Sequence, residues 1–151
     1  MPGLRAWRHI IANAVSAALA GDQEPARPFP VYPFAPAKPA VTPCALIQQG
    51  GNGGPYLEHG DSEHATLCQR TLRLTVWIAT GDPLTERAAD LFDDLVTFLH
   101  SSAFAATVTA DPLNVGGYVP TVGAVGTPGA SELGGTPVWW ADVELLCPAH
   151  L

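Results

Sequence analysis

Apolar and polar residues alternate clearly between residues 72 and 79. One face carries the apolar positions Leu72, Leu74, Val76 and Ile78. The other face carries Arg73, Thr75, Trp77 and Ala79. A period of two is typical of a half-buried β-strand. The pattern therefore predicts a strand here, with a plausible backward extension through residues 66–71.

A second alternating run covers residues 138–147, with Trp140, Asp142 and Glu144 on the face opposite the apolar one. We expect this strand to pair inside the sheet beside Leu72–Ile78. Arg73 would then face Asp142 or Glu144 across the ladder.

A helix is predicted after this first strand. Asp82 can accept from the free amides of the first turn, and Pro83 fits the first helical position. Apolar residues then recur at helical spacing: Ala88, Leu91, Phe92, Leu95, Val96 and Leu99. Asp90, Asp93 and Asp94 fall on the other side, as a solvated acidic face.

The first 21 residues admit two interpretations. Two arginines, an apolar stretch and Ala-Leu-Ala before Gly21 resemble a signal peptide. The apolar residues also recur at helical spacing, and a central Asn13 is unusual for a signal segment. We favour an amphipathic helix over residues 4–20. No run of 18 apolar residues occurs, so we expect no transmembrane helix.

The 15 Gly and 15 Pro residues concentrate in three segments and leave the predicted helices and long strands almost free of them. Residues 22–43 form an extended proline-rich arm, with strand character only around Val31-Tyr32 at a sheet edge. Cys44–Gln48 is a further short strand. Residues 103–136 are expected to be a long loop or insert, with strand character at Thr107–Thr109 and Tyr118–Val125.

The order of elements predicts one α+β domain over residues 1–151. It would contain a mostly antiparallel or mixed sheet with two helices packed on one side. The acidic balance, a formal net charge of −7 with a single lysine, argues against a nucleic-acid-binding surface. We expect the three cysteines to be reduced thiols, because no C-x-x-C pair occurs.

No constellation in the sequence predicts catalysis, so we expect no enzyme, no metal and no cofactor. His59, His64 and nearby carboxylates lack the spacing that fixes a metal site. Gly60-Asp61-Ser62 resembles the start of a GDS-type hydrolase motif, but Glu63 replaces the leucine that should follow. A small hydrolase and a monomeric binding module remain less favoured alternatives.

Long, sparsely charged loops instead favour an assembly protein. Fixing each loop residue costs roughly 1–2 kcal/mol, which contacts with neighbouring copies offset. Candidate subunit or neighbour contacts are Trp77, Trp140, Tyr118, Gly129 and Leu133. Function is expected mainly in the long segments.

The order of these elements resembles the tail terminator family of long-tailed (siphovirus-type) bacteriophages. The N-terminal helix, the Val-Tyr-Pro strand, the long strand joined by Gly81-Asp82-Pro83 to a helix, and the final strand carry the resemblance. No single motif is specific to this family, and we expect the segment 119–136 to depart from the family's pattern.

The resemblance implies a virion protein assembled in the host cytoplasm, with no membrane association. It would form a homo-oligomeric ring, expected to be a hexamer, that caps the tail tube protein, stops polymerisation and receives the head-completion or stopper protein. DNA would pass the lumen unbound, and Asp90, Asp93 and Asp94 are candidate lining residues. Another head–tail connector, stopper or tail-completion protein is the alternative.

Overall fold

The computed structural model describes residues 2–20, 29–37, 42–50, 56–58 and 67–150. Three α-helices lie among them: α1 (Leu4–Ala20), α2 (Ala88–Leu99) and α3 (Ser102–Ala110). The strands are β1 (Val31–Tyr32), β2 (Cys44–Gln49), β3 (Tyr56–Glu58), β4 (Leu67–Ala79), β5 (Thr121–Val125), β6 (Gly129–Leu133) and β7 (Thr136–His150). No helix within the described ranges has the length and apolar character needed to cross a membrane.

Two long antiparallel strands, β4 and β7, form the centre of the sheet and pair from Leu67–His150 to Ala79–Val138. Their neighbours give the order β1-β2-β4-β7-β5, with β3 also on β4 and β6 also on β7. Among the strands of the described residues, only β1 and β2 run parallel. The expected pairing of the two alternating runs is confirmed, and β7 continues through Pro148 to His150.

The hydrophobic core lies between the helices and one face of this sheet. Its helical side includes Trp7, Phe92 and Phe104, and its sheet side includes Leu74 and Val143, all at most 2% exposed. Phe92 meets Trp139 edge-on, with ring centroids 6.3 Å apart. The chain therefore has the predicted α+β fold, with helices on one side of a mixed, mostly antiparallel sheet.

The start of the second predicted helix is confirmed at its cap. Asp82 Oδ1 accepts a hydrogen bond from the Leu84 amide at 2.8 Å, and Pro83 follows the cap. The first turn, Pro83–Arg87, is a 3-10 helix before α2 begins. Thr85 Oγ1 also donates to the Asp82 carbonyl at 2.6 Å, which fixes this turn.

A third helix corrects the expectation for residues 103–110, where a loop and a short strand at Thr107–Thr109 were predicted. Ser101 caps α3 by accepting from the Phe104 amide at 3.2 Å. Phe104 and Val108, four residues apart, are fully buried on one face of the helix. Thr107 Oγ1 donates to the Ala103 carbonyl of the preceding turn at 2.8 Å, so the threonine is accommodated within the helix.

The segment 126–135, expected to be part of the long loop over residues 103–136, contains a strand instead. Strand β6 pairs with β7 in register from Gly129–Trp140 to Leu133–Thr136. Gly134 and Gly135 join the two strands with φ values of 58° and 82°. Positive φ at both central residues is the requirement of a tight two-residue hairpin, and glycine meets it without strain.

Residues 29–37 of the proline-rich arm are held against the domain at the predicted sheet edge. The Arg8 guanidinium donates to the carbonyls of Pro33 at 3.1 Å and Ile47 at 3.0 Å. Its carbon Cζ lies 4.7 Å from the centre of the Phe34 ring. Desolvation lowers the pKa of Arg8 from its usual value. The remainder of the arm, residues 22–28 and 38–41, lies outside the described residues.

Candidate assembly surface

The face of the sheet opposite the helices carries a row of cross-strand pairs between β4 and β7. Trp77 pairs with Trp140, Thr75 with Asp142, and Arg73 with Glu144. Because β-strand side chains alternate, this row is the polar counterpart of the buried row on the helix side. Both tryptophans are half-buried, as expected for the less buried strand faces.

A shallow groove of about 220 Å³ runs along this face. We call it the indole groove, and its lining residues are Gln48, Arg73, Thr75, Trp77, Ser131, Trp140 and Asp142. The groove therefore combines two indole rings with five polar side chains. Such a lining offers apolar contact together with several hydrogen-bonding groups.

Arg73 neutralises the two carboxylates beside it, those of Asp142 and Glu144, only in part. Its Nε lies 3.4 Å from Asp142 Oδ2, and its Nη2 lies 3.6 Å from Glu144 Oε1. The arginine side chain is 39% exposed, so solvent weakens both contacts. The predicted pairing of Arg73 with Asp142 and Glu144 is confirmed. It orients these side chains and contributes little to the free energy of unfolding.

Two glycines allow the hairpin and the preceding loop to approach β7 closely. A Cβ added to Gly129 would lie 3.1 Å from Trp140 Nε1, so the indole lies close against this glycine. A Cβ added to Gly126 would lie only 1.9 Å from Asp142 Oδ1. The Gly126 amide also donates to the Asp142 carbonyl at 2.8 Å. Side-chain bulk is therefore excluded where this segment meets the groove.

Gly126→Ala is expected to push the Asp142 carboxylate away from Arg73 and to lower the free energy of unfolding by about 1–2 kcal/mol. Urea unfolding measures this change. Gly81→Ala is the matched control, because its Cβ would meet no atom within 4 Å. Equal destabilisation by the two variants would show that the close approach at Asp142 has no energetic consequence.

A second exposed feature follows α3. Among the described residues, six large hydrophobic side chains are exposed, and five of them lie between residues 113 and 125. These five are Leu113, Val115, Tyr118, Val119 and Val125. Residues 112–131 contain no charged side chain, so this stretch is both apolar and uncharged. A contiguous exposed apolar segment is typical of an interaction surface.

The candidate residues named from the sequence separate into two groups. Trp77 and Trp140 line the indole groove, and Gly129 lies against the Trp140 indole. Asp90, Asp93 and Asp94 are exposed on α2, on the helix side of the molecule. Tyr118 lies in the exposed loop after α3, 37% exposed, and Leu133 ends β6 half-buried. The three aspartates and the groove are therefore on opposite sides of the sheet.

The sequence-based search missed Gln48 and Ser131 of the groove, and Leu113, Val115 and Val119 of the exposed loop. Gln48 and Ser131 come from other strands, and only the strand pairing brings them beside Trp77 and Trp140. The exposed loop had a signal in its sequence, namely the uncharged composition of residues 112–131.

The residues considered for chemistry give no site in the described part of the chain. His59, Ser62 and His64 lie outside the described residues. Within the described residues, no three His, Cys, Asp or Glu side chains are grouped as metal ligands. Cys44 and Cys147 are free and buried, and burial raises the pKa of Cys44 to about 11 and that of Cys147 further. These two thiols are therefore poor nucleophiles at neutral pH.

No protein-family model matches the chain, and no curated protein matches it with significant similarity.

Proposed function

We propose that this protein is a structural component of a phage tail, a tail terminator that assembles as a hexameric ring on the end of the tail tube. The exposed apolar segment between residues 113 and 125 is the observation that carries the proposal. Val122 of this segment packs against the core, whereas Leu113, Val115, Tyr118, Val119 and Val125 remain exposed. These exposed side chains are therefore available to contact neighbouring subunits.

Surface charge favours the same role. The chain carries a formal net charge of −7, and Asp90, Asp93 and Asp94 form an exposed acidic group on α2. Carboxylates around a ring lumen repel phosphates and offer no counter-charge, so DNA passes without binding. A protein that closes the tube and still transmits DNA needs this property.

The leading alternative is another neck component, such as a head–tail connector, a stopper or a tail-completion protein. It would assemble through the same uncharged apolar surface. The difference lies in the partner, because a terminator binds the growing end of the tail tube, whereas a stopper binds the head side. A tube-capping experiment therefore separates the two functions.

The expected result is a particle of six times the chain mass of 15.8 kDa, measured by light scattering or mass photometry. Electron micrographs should show six-fold rings, and adding the protein to polymerising tail tube subunits should shorten the tubes. A protein that remains monomeric in the presence of tubes would contradict the proposal. Rings that leave tube length unchanged would favour the alternative neck role.

A further inference from the structure

The indole groove contains a buried hydroxyl group that has no partner in the protein. Thr75 lies between Arg73 and Trp77 on the groove face of β4 and is only 5% exposed. Among the described residues, no group makes a hydrogen bond to its Oγ1. Native proteins leave few buried polar groups without a hydrogen bond, because such groups are unfavourable. This hydroxyl therefore points to a hydrogen-bonding group that comes from outside the chain.

Two further polar side chains of the groove are also available to a ligand. Gln48 on β2 and Ser131 on β6 are exposed and lie on the two sides of the central β4–β7 pair. Neither side chain has a hydrogen-bond partner in the part of the chain that the structure describes. A hydroxyl and a side-chain amide both donate and accept hydrogen bonds. Together with Thr75, they favour a ligand that itself carries several donors and acceptors.

The two tryptophans add flat apolar surface beside these polar groups. Trp77 and Trp140 are cross-strand partners, so their side chains emerge close together on one face of the sheet. Both are half-buried, and within the described ranges neither ring stacks on another aromatic ring. The face of an indole carries partial negative charge and attracts the partly positive C–H groups of a saturated ring. The groove therefore suits a ligand that has C–H faces as well as hydroxyl groups.

The charges at the groove favour a neutral ligand. Arg73 and Asp142, which line it, carry opposite charges, and Arg73 Nε lies 3.4 Å from Asp142 Oδ2. A cation would meet the guanidinium group, and an anion would meet the Asp142 carboxylate with that of Glu144 nearby. A purely apolar ligand would cover the polar side chains without giving them hydrogen bonds, which is unfavourable.

The size of the groove limits the ligand to a small unit. Its volume is about 220 Å³, below the roughly 300–1,000 Å³ of pockets that enclose drug-sized ligands. Because the groove is shallow, further units of a longer ligand can extend beyond it. A small neutral ring with C–H faces and several hydroxyl groups is a pyranose sugar.

We infer that the indole groove binds one pyranose unit of a neutral oligosaccharide. The C–H face of the sugar lies on the indole rings of Trp77 and Trp140. Its hydroxyl groups replace water at Thr75, Gln48 and Ser131. This site goes beyond the proposed assembly role and does not depend on a ring, since one chain supplies every lining residue.

The first experiment follows the indole N–H signals of the unmodified chain by NMR during sugar titration. The probes are cellohexaose, maltohexaose, mannohexaose, galactotetraose and chitohexaose, all of them neutral. With at least one probe, the signals of Trp77 and Trp140 should shift saturably, with a Kd of about 1 mM or tighter. The other two tryptophans are internal controls, because Trp7 is buried in the core and Trp139 packs against Phe92. No saturable shift with any probe, or shifts confined to Trp7 and Trp139, would overturn the inference.

The second experiment tests the preference for a neutral ligand with two charged oligomers. Glucosamine hexamer is cationic, and it differs from chitohexaose only in its missing acetyl groups. Galacturonate hexamer is anionic. Both should bind at least about tenfold more weakly than the best neutral probe, because each meets a like charge at Arg73 or Asp142. Binding of either charged oligomer as tight as that of the neutral probe would contradict the assigned ligand class.

The third experiment removes the buried hydroxyl with Thr75→Val, which keeps the shape of the side chain. Since Oγ1 has no partner in the described chain, the variant should unfold in urea at the same concentration or a higher one. It should bind the best neutral probe roughly three- to tenfold more weakly, the effect of one lost hydrogen bond. Thr71→Val is the matched control, because Thr71 lies on the same face of β4 but does not line the groove. A Thr75→Val variant that binds as tightly as Thr71→Val would overturn the site.

Discussion

Replacing Phe92 with alanine is expected to lower the free energy of unfolding by about 3–5 kcal/mol. Phe92 is 2% exposed and meets Trp139 edge-on, at the place where α2 packs on β7. The truncation removes apolar burial and leaves a cavity that the central strands cannot close. Because a domain of this size is stable by roughly 5–15 kcal/mol, the loss is a large share of the total. Urea unfolding followed by far-ultraviolet circular dichroism measures it.

Phe34→Ala is the matched control for this prediction. Phe34 is 42% exposed, and its ring contacts Arg8 and His9 at the edge of the domain. Its removal should cost under about 1 kcal/mol, the typical value of an exposed cation–π contact. A Phe34→Ala variant as unstable as Phe92→Ala would show that burial under α2 is not what makes Phe92 important.

The regular elements were predictable because their burial patterns are periodic. Alternation in residues 72–79 and 138–147 identified β4 and β7, and the shared faces placed Arg73 opposite Asp142 and Glu144. Helix α3 was not predicted, since the β-branched run Thr107-Val108-Thr109 favours a strand and only Phe104 and Val108 are fully buried along the helix. Strand β6 was not predicted either, because its pairing with β7 depends on the turn at Gly134-Gly135 more than on side-chain pattern.

The candidate surface was predictable only in part. The half-buried faces of Trp77 and Trp140 followed from the strand pattern, but the groove that these two residues line depends on the register of separate strands. The loop of residues 111–120 depends on Asn114, a single polar residue whose partners, Val108 and Tyr118, become evident only in the folded chain. Local sequence signals therefore predicted the strand faces on which Trp77 and Trp140 lie and could not give the shape of the groove between them.

Replacing Asn114 with alanine is expected to lower the free energy of unfolding by about 2–4 kcal/mol. The change removes three hydrogen bonds at once. The amide and the carbonyl of Tyr118 lose their side-chain partner, Asn114, which is only 5% exposed. Amide hydrogen exchange should rise in residues 111–120, because the loop loses the group that ties its ends together. Urea unfolding and exchange measured on the same variant report both effects.

Asp111→Asn is the matched control for Asn114→Ala, because an asparagine carbonyl still accepts from the Leu113 amide. It should change the free energy of unfolding by less than about 0.5 kcal/mol. Asn114→Ala should also weaken assembly although it removes no exposed side chain, since a loose loop has more conformational freedom to lose on docking. An Asn114→Ala variant with unchanged exchange in residues 111–120 would contradict the view that this amide orders the loop. If exchange rises while assembly stays as strong as before, order in the loop does not contribute to the contact.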